Sequence, residues 1–140
     1  MKPNLSAAIV AVLVFATPAP AAEAALSGRY LPQVVATSKP HRETLAALLK
    51  GRRGLPSWVR NMVRQGAYVA AASEALVIDG SPHELFSACQ PRDCEDSQLK
   101  LVFSADGRRA VLRIADRKLG EQLLGEPSEA EKAAMMKPGL

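Results

Sequence analysis

Two Asp-Gly pairs, Asp79-Gly80 and Asp106-Gly107, each fall between stretches rich in apolar and β-branched residues. Aspartate and glycine together tolerate the left-handed backbone of a tight turn, so such a pair between two runs reads as a hairpin. Tyr68 to Ile78 leads into the first turn, and Pro82 to Cys89 forms the return strand. Leu99, Leu101 and Phe103 alternate with Lys100, Val102 and Ser104 before the second turn. Beyond it, Ala110, Leu112 and Ile114 alternate with Val111, Arg113 and Ala115. Successive hairpins make an antiparallel meander and exclude crossover βαβ units.

Helices are predicted at the two ends. Tyr30 to Val35 reads as a short strand interrupted by Pro32. Pro40 suits the first turn of a helix whose stripe of Leu45, Leu48 and Leu49 ends at Gly51. Ser57 is expected to cap one or two turns carrying Trp58, Val59, Met62 and Val63. Ser128-x-x-Glu131 is a capping box opening a final helix through Met136. The fold class is therefore α+β, an antiparallel sheet of about five strands flanked by helices. Trp58, Leu48, Leu101, Phe103 and Leu112 are expected in its core.

The N-terminal segment stands apart. Lys2 is followed by a charge-free apolar run from Leu5 to Ala16 and then by small residues to Ala25. This is the pattern of a secretory signal peptide, and the run is too short to span a bilayer. Cleavage is expected after residue 21, with a second A-x-A site as late as 24. The mature chain, 22–140, is then one exported domain with 17 basic and 14 acidic side chains. Export favours pairing Cys89 with Cys94, the only two cysteines. So small a ring contributes roughly 2 kcal/mol by loop closure, and its use is to hold Gln90-Pro91-Arg92-Asp93 in one shape.

Most chemistries are absent. No Lys/Arg run exceeds two consecutive residues and aromatics make up 4%, which argues against a nucleic-acid partner. His41 and His83 have no Cys, Asp or Glu at ligand spacing and read as surface residues rather than metal ligands. The spacing of the cysteines is not that of a zinc site or a disulfide oxidoreductase. Glu95-Asp96 reads as solvated loop. No nucleophile elbow, P-loop or zincin motif occurs, so the chain is not expected to be an enzyme, and no cofactor or metal is implied.

A constrained loop between two strands remains, and Cys89-Gln90-Pro91-Arg92-Asp93-Cys94 resembles the C-K-P-H-D-C loop of the inhibitor-of-vertebrate-lysozyme (Ivy) family. Leu55-Pro56-Ser57-Trp58-Val59 is similar to that family's L-P-S-W-V stretch, and Asp79-Gly80 falls where such proteins turn. Ser87-Ala88 before the first cysteine, Phe103-Ser104-x-Asp106-Gly107-Arg108 and Leu124-Gly125-Glu126-Pro127 extend the likeness over almost the whole mature chain. The resemblance implies an antiparallel sheet flanked by helices, a location in the periplasm of a Gram-negative bacterium, and a non-catalytic role. The loop would enter the cleft of a C-type lysozyme, where a retaining glycosidase holds two carboxyl groups about 5 Å apart. A rigid protrusion carrying a donor fills that gap with little ordering entropy to lose.

Two loop positions depart from the family pattern. Gln90 replaces lysine, and Arg92 stands where the family has histidine. Arg92 is expected to pair with the carboxylates as a permanently charged, bidentate donor. Asp93 would brace the loop or touch the target, and Pro91 fixes φ within the ring. C-type lysozymes are basic and the mature domain is itself positive, so binding should depend on fit more than on steering. The same fold could instead regulate the cell's own peptidoglycan-cleaving enzymes, such as lytic transglycosylases, or serve as a periplasmic interaction protein. The family includes dimers, so a homodimer stays open; no membrane contact is expected after the leader is removed.

Overall fold

The computed structural model describes residues 26–140, so the leader expected at 1–21 lies outside the described residues. The first described element corrects the sequence reading. Leu31–Thr37 is a helix (α1), not a strand, with Pro32 in its first turn. Proline suits the first turn of a helix because the N–H it lacks would have no partner there. Leu31, Val34 and Val35, spaced i, i+3 and i+4, put one buried face on the sheet. Lys39–Leu49 (α2) follows, with Pro40 in its first turn as expected.

The third helix, Ser57–Arg60 (α3), is one turn long. Pro56, not Ser57, is its N-cap, and no side chain caps it. Tertiary packing holds the turn instead, through Leu55, Val59 and Met62, all buried.

Six strands form one antiparallel sheet among the described residues. They are Val69–Ala70 (β1), Glu74–Ile78 (β2), Ser81–Cys89 (β3), Ser97–Ser104 (β4), Ala110–Asp116 (β5) and Gly120–Leu124 (β6). The order is β1-β3-β4-β5-β6, with β2 also paired to β3. Ile78 faces Ser81 across a two-residue turn in which Asp79 and Gly80 have φ of 50° and 76°. Both values are left-handed, as a type I′ hairpin requires.

Two features of the sheet differ from the sequence reading. The expected strand from Tyr68 to Ile78 is broken before Glu74, because the Ser73 N–H turns away to Arg29 O (2.8 Å) and Ser73 O receives Gly28 N–H (2.8 Å). The sixth strand, β6, pairs Gly120 through Leu124 with Asp116 back to Leu112 and was not foreseen. Of its five residues only Leu124 is buried, so it carries no alternation to find.

The two sheet faces are covered unequally. Phe86, Leu99, Leu101, Leu112 and Ile114 point toward α1–α3 and form the main core. Leu101, Phe103 and Leu112 are fully buried as expected, whereas Leu48 and Trp58 are half-buried at its margin. On the other face Leu85, Val102 and Val111 pack on Met135 of the last helix, Glu129–Met135 (α4). Ser128 caps α4 by accepting the Glu131 N–H (3.2 Å), and the Glu131 carboxylate is taken by Arg109 (2.9 and 3.1 Å). Lys100, on that same face, is buried and donates to Ser87 Oγ (2.8 Å) and Gly139 O.

His41 overturns the expectation of a surface histidine. It is buried, with Nδ1 bonded to Ser38 Oγ (2.6 Å) and its ring edge-on to Phe103 at 4.8 Å. Its ring lies where a Cβ on Gly107 would fall, 2.3 Å from Nδ1. Gly107 therefore supplies both the turn and the clearance.

Candidate functional site

The site is built where β3 ends and β4 begins. Gln90 N–H donates to Ser97 O (3.0 Å), which closes the last rung of the ladder before the loop leaves the sheet. Asp93 N–H then donates to Gln90 O (3.1 Å) across Pro91 and Arg92. Pro91 in the second position and a left-handed Arg92 (φ 67°) in the third are the requirements of a type II turn. Glycine normally takes that third place; a larger residue there costs about 1–2 kcal/mol. The surrounding ring holds it: Cys89 and Cys94 are disulfide-bonded with Cα atoms 4.9 Å apart.

From Asp93 onward the loop is stitched back to the sheet. Asp96 N–H and Ser97 N–H both donate to Asp93 O (3.1 and 2.9 Å), and the Gln98 amide donates to Cys94 O (2.9 Å). Backbone groups are thus used internally, while Pro91, Arg92 and Asp93 stay exposed. Among the described residues Arg92 makes no hydrogen bond or ion pair. Asp96, which could have captured it, faces Arg117 instead (3.5 Å).

Beneath the loop lies a polar chain that sequence reasoning missed. The Trp58 indole N–H donates to Ser97 Oγ (2.9 Å), and Ser97 Oγ donates to Asp116 Oδ2 (2.7 Å). Asp116 Oδ1 accepts the N–H groups of Lys118 and Leu119 (2.9 Å each). The Ser97 bond above all, joined by those two N–H groups, holds the Asp116 carboxyl below its ordinary range. Asp116-Arg117-Lys118-Leu119 is a sequence signal for such an aspartate-anchored turn. Nothing in the sequence marks Ser97, whose partners lie 39 and 19 residues away.

The loop and the β5–β6 turn enclose a notch of about 480 Å³, lined by Gln90, Asp93, Asp96, Ser97, Asp116, Arg117 and Lys118. No group of three or more His, Cys, Asp or Glu suited to a metal occurs among the described residues. Of the two histidines, His41 lies in the core and His83 bonds Ser81 O (2.9 Å), so neither is brought to the loop. The arrangement can present a cation rigidly.

No protein-family model matches the chain. It is 25% identical over 110 residues to the inhibitor of vertebrate lysozyme of Pseudomonas aeruginosa, an alignment covering 69% of each protein. That relative is named for inhibition, not catalysis.

Proposed function

We propose that the chain is a divergent member of the inhibitor-of-vertebrate-lysozyme family, exported to the periplasm as a domain spanning 22–140, and that it inhibits a C-type lysozyme by inserting the Cys89–Cys94 loop into the catalytic groove. The observation that carries this reading is Arg92, exposed at the crest of a closed ring and without an internal partner among the described residues. A guanidinium so placed needs no ion pair broken before it enters a groove, and its planar fork suits two carboxylates. Pro91 sets the turn, Gln90 joins it to the sheet, and Asp93 closes it. Each therefore lowers the ordering cost of insertion. The likeness to the Pseudomonas protein supports a target of the lysozyme kind.

Histidine, which the family carries at this position, is among the residues that enter left-handed backbone more readily than most. Arg92→His should therefore keep the crest intact and test chemistry alone. Inhibition constants against hen-type lysozyme for the wild type, Arg92→Ala and Arg92→His decide the mechanism. Loss in the alanine variant and retention in the histidine variant is the expected result; three equal constants would remove loop insertion. Running the same series against a lytic transglycosylase shows which class of target the loop fits.

A further inference from the structure

The crest alone is too small to hold a partner. Four residues separate the cysteines, whereas a stable interface draws on about 20–30 residues a side. What stands beside it is the β5–β6 turn, Arg117-Lys118-Leu119, exposed at all three positions. This turn is locked to the loop. Arg117 N–H donates to Asp96 O (2.8 Å), the Arg117 guanidinium meets the Asp96 carboxylate (3.5 Å), and Asp116 at the foot of the turn accepts Ser97 Oγ. Leu119 is 49% exposed on an otherwise charged turn. Between the two projections lies the notch, with Gln90 and Asp93 on one wall and Arg117 and Lys118 on the other.

We propose that the β5–β6 turn is a second contact prong, so that the inhibitor straddles the lip of its target's groove. Arg92 enters the groove, the lip sits in the notch, and Leu119 rests on apolar protein surface outside it. The proposal rests on the loop-insertion reading and extends the contact surface across the end of the sheet. Because the two prongs share hydrogen bonds at their base, they meet the target as one rigid body and lose little freedom on binding.

The test compares inhibition constants of the full mature chain against hen-type lysozyme for four variants. Leu119→Glu should raise the constant at least tenfold, and Leu119→Ala about threefold, with melting temperatures unchanged because the side chain is exposed. Val77→Glu serves as the control, since Val77 is 65% exposed but pairs with Pro82. Seven residues along β3 put it about 23 Å from Cys89. It should leave inhibition unchanged. If Arg92→Ala weakens inhibition and Leu119→Glu does not, the second prong is overturned and loop insertion stands. If only Leu119→Glu matters, loop insertion falls and the two-pronged surface with it. Equal constants throughout overturn both.

Discussion

The two ends of the sheet treat charge in opposite ways. At the hairpin end, Glu84 is fully buried and its carboxylate accepts from Arg29 Nε (2.9 Å) and Ser73 Oγ (2.7 Å), with Arg29 Nη2 on its other oxygen. His41 lies nearby and is consumed by Ser38 and Phe103. The Arg29–Glu84 pair is turned inward and holds the chain before α1 against β3. At the loop end, the polar chain from Trp58 through Ser97 to Asp116 runs underneath, and the guanidinium on top is left bare. Polar bonds at one end hold the fold together; at the other they hold a surface in shape. The contrast teaches where mutation should cost stability and where it should cost recognition.

The largest expected effect breaks the hairpin end. Arg29→Met strands a buried carboxylate, and removing one partner of such a pair typically costs about 3–5 kcal/mol. Denaturant unfolding should show that loss, while the folded fraction keeps wild-type inhibition. Replacing Glu84 by Gln should cost less than losing Arg29. The remaining Arg29 side chain is 36% exposed and can turn to water, whereas Glu84 has none to turn to. If Arg29→Met unfolds no more easily than wild type, the inward-facing role of this end is wrong.

Next in size is Arg92→Ala, which should weaken inhibition by about 2–5 kcal/mol, the range for truncating a buried interfacial charge, chiefly through faster dissociation. Its melting temperature should hardly move, because nothing in the fold leans on the side chain. A variant that lost stability and inhibition in parallel would show the two ends to be less distinct than drawn.

How much of this contrast could be read beforehand depends on the range of the interactions. The Asp79-Gly80 turn and the alternation of β4 and β5 are local, and they were legible because turn chemistry and side-chain period act over a few residues. The disulfide was expected because export leaves the only two cysteines to pair, but the left-handed crest at Arg92 was not. Pro32 misled because proline is at home both in a helix's first turn and in an edge strand, and only the packing of Leu31, Val34 and Val35 on the sheet decides between them. His41 and Glu84 could not be placed, since their burial depends on Gly107 and Arg29, both more than 50 residues away in sequence. Ser97 was invisible for the same reason, and Trp58, expected in the core, proved to be the half-buried donor that reaches it.

Ser97→Ala sharpens the comparison at the loop end. It leaves the indole N–H and the Asp116 carboxylate without their shared partner, a loss of about 1–3 kcal/mol. Inhibition should suffer more than the melting temperature, and Ser97→Thr should restore much of it. Trp58 is the sole tryptophan, so hydrogen exchange at its indole N–H reads the change directly. Unaltered exchange in Ser97→Ala would remove the supporting role of the chain.

The smallest effect is a pH dependence at the hairpin end. Burial first, then the Arg29 charge, lowers the His41 pKa, with Glu84 and Asp106 opposing. The unfolded chain therefore binds the proton more readily than the native one. Stability is complete above the ordinary histidine range and falls as pH drops through that range toward the native pKa. Urea midpoints between pH 7.5 and 5 should decline in the wild type and flatten in His41→Gln.

The left-handed backbone at Arg92 has an evolutionary corollary. Its shape comes from Pro91, the Asp93–Gln90 bond and the ring, not from anything the side chain touches. The crest is thus a reading head whose one informative letter can be rewritten without recasting the type. Under the proposed insertion, a lineage facing a new hydrolase can explore arginine, histidine or asparagine at this codon with the rest of the molecule as an unchanged chassis. Exchanges among residues that accept left-handed backbone are then filtered by the target's groove, while β-branched residues are opposed by folding as well.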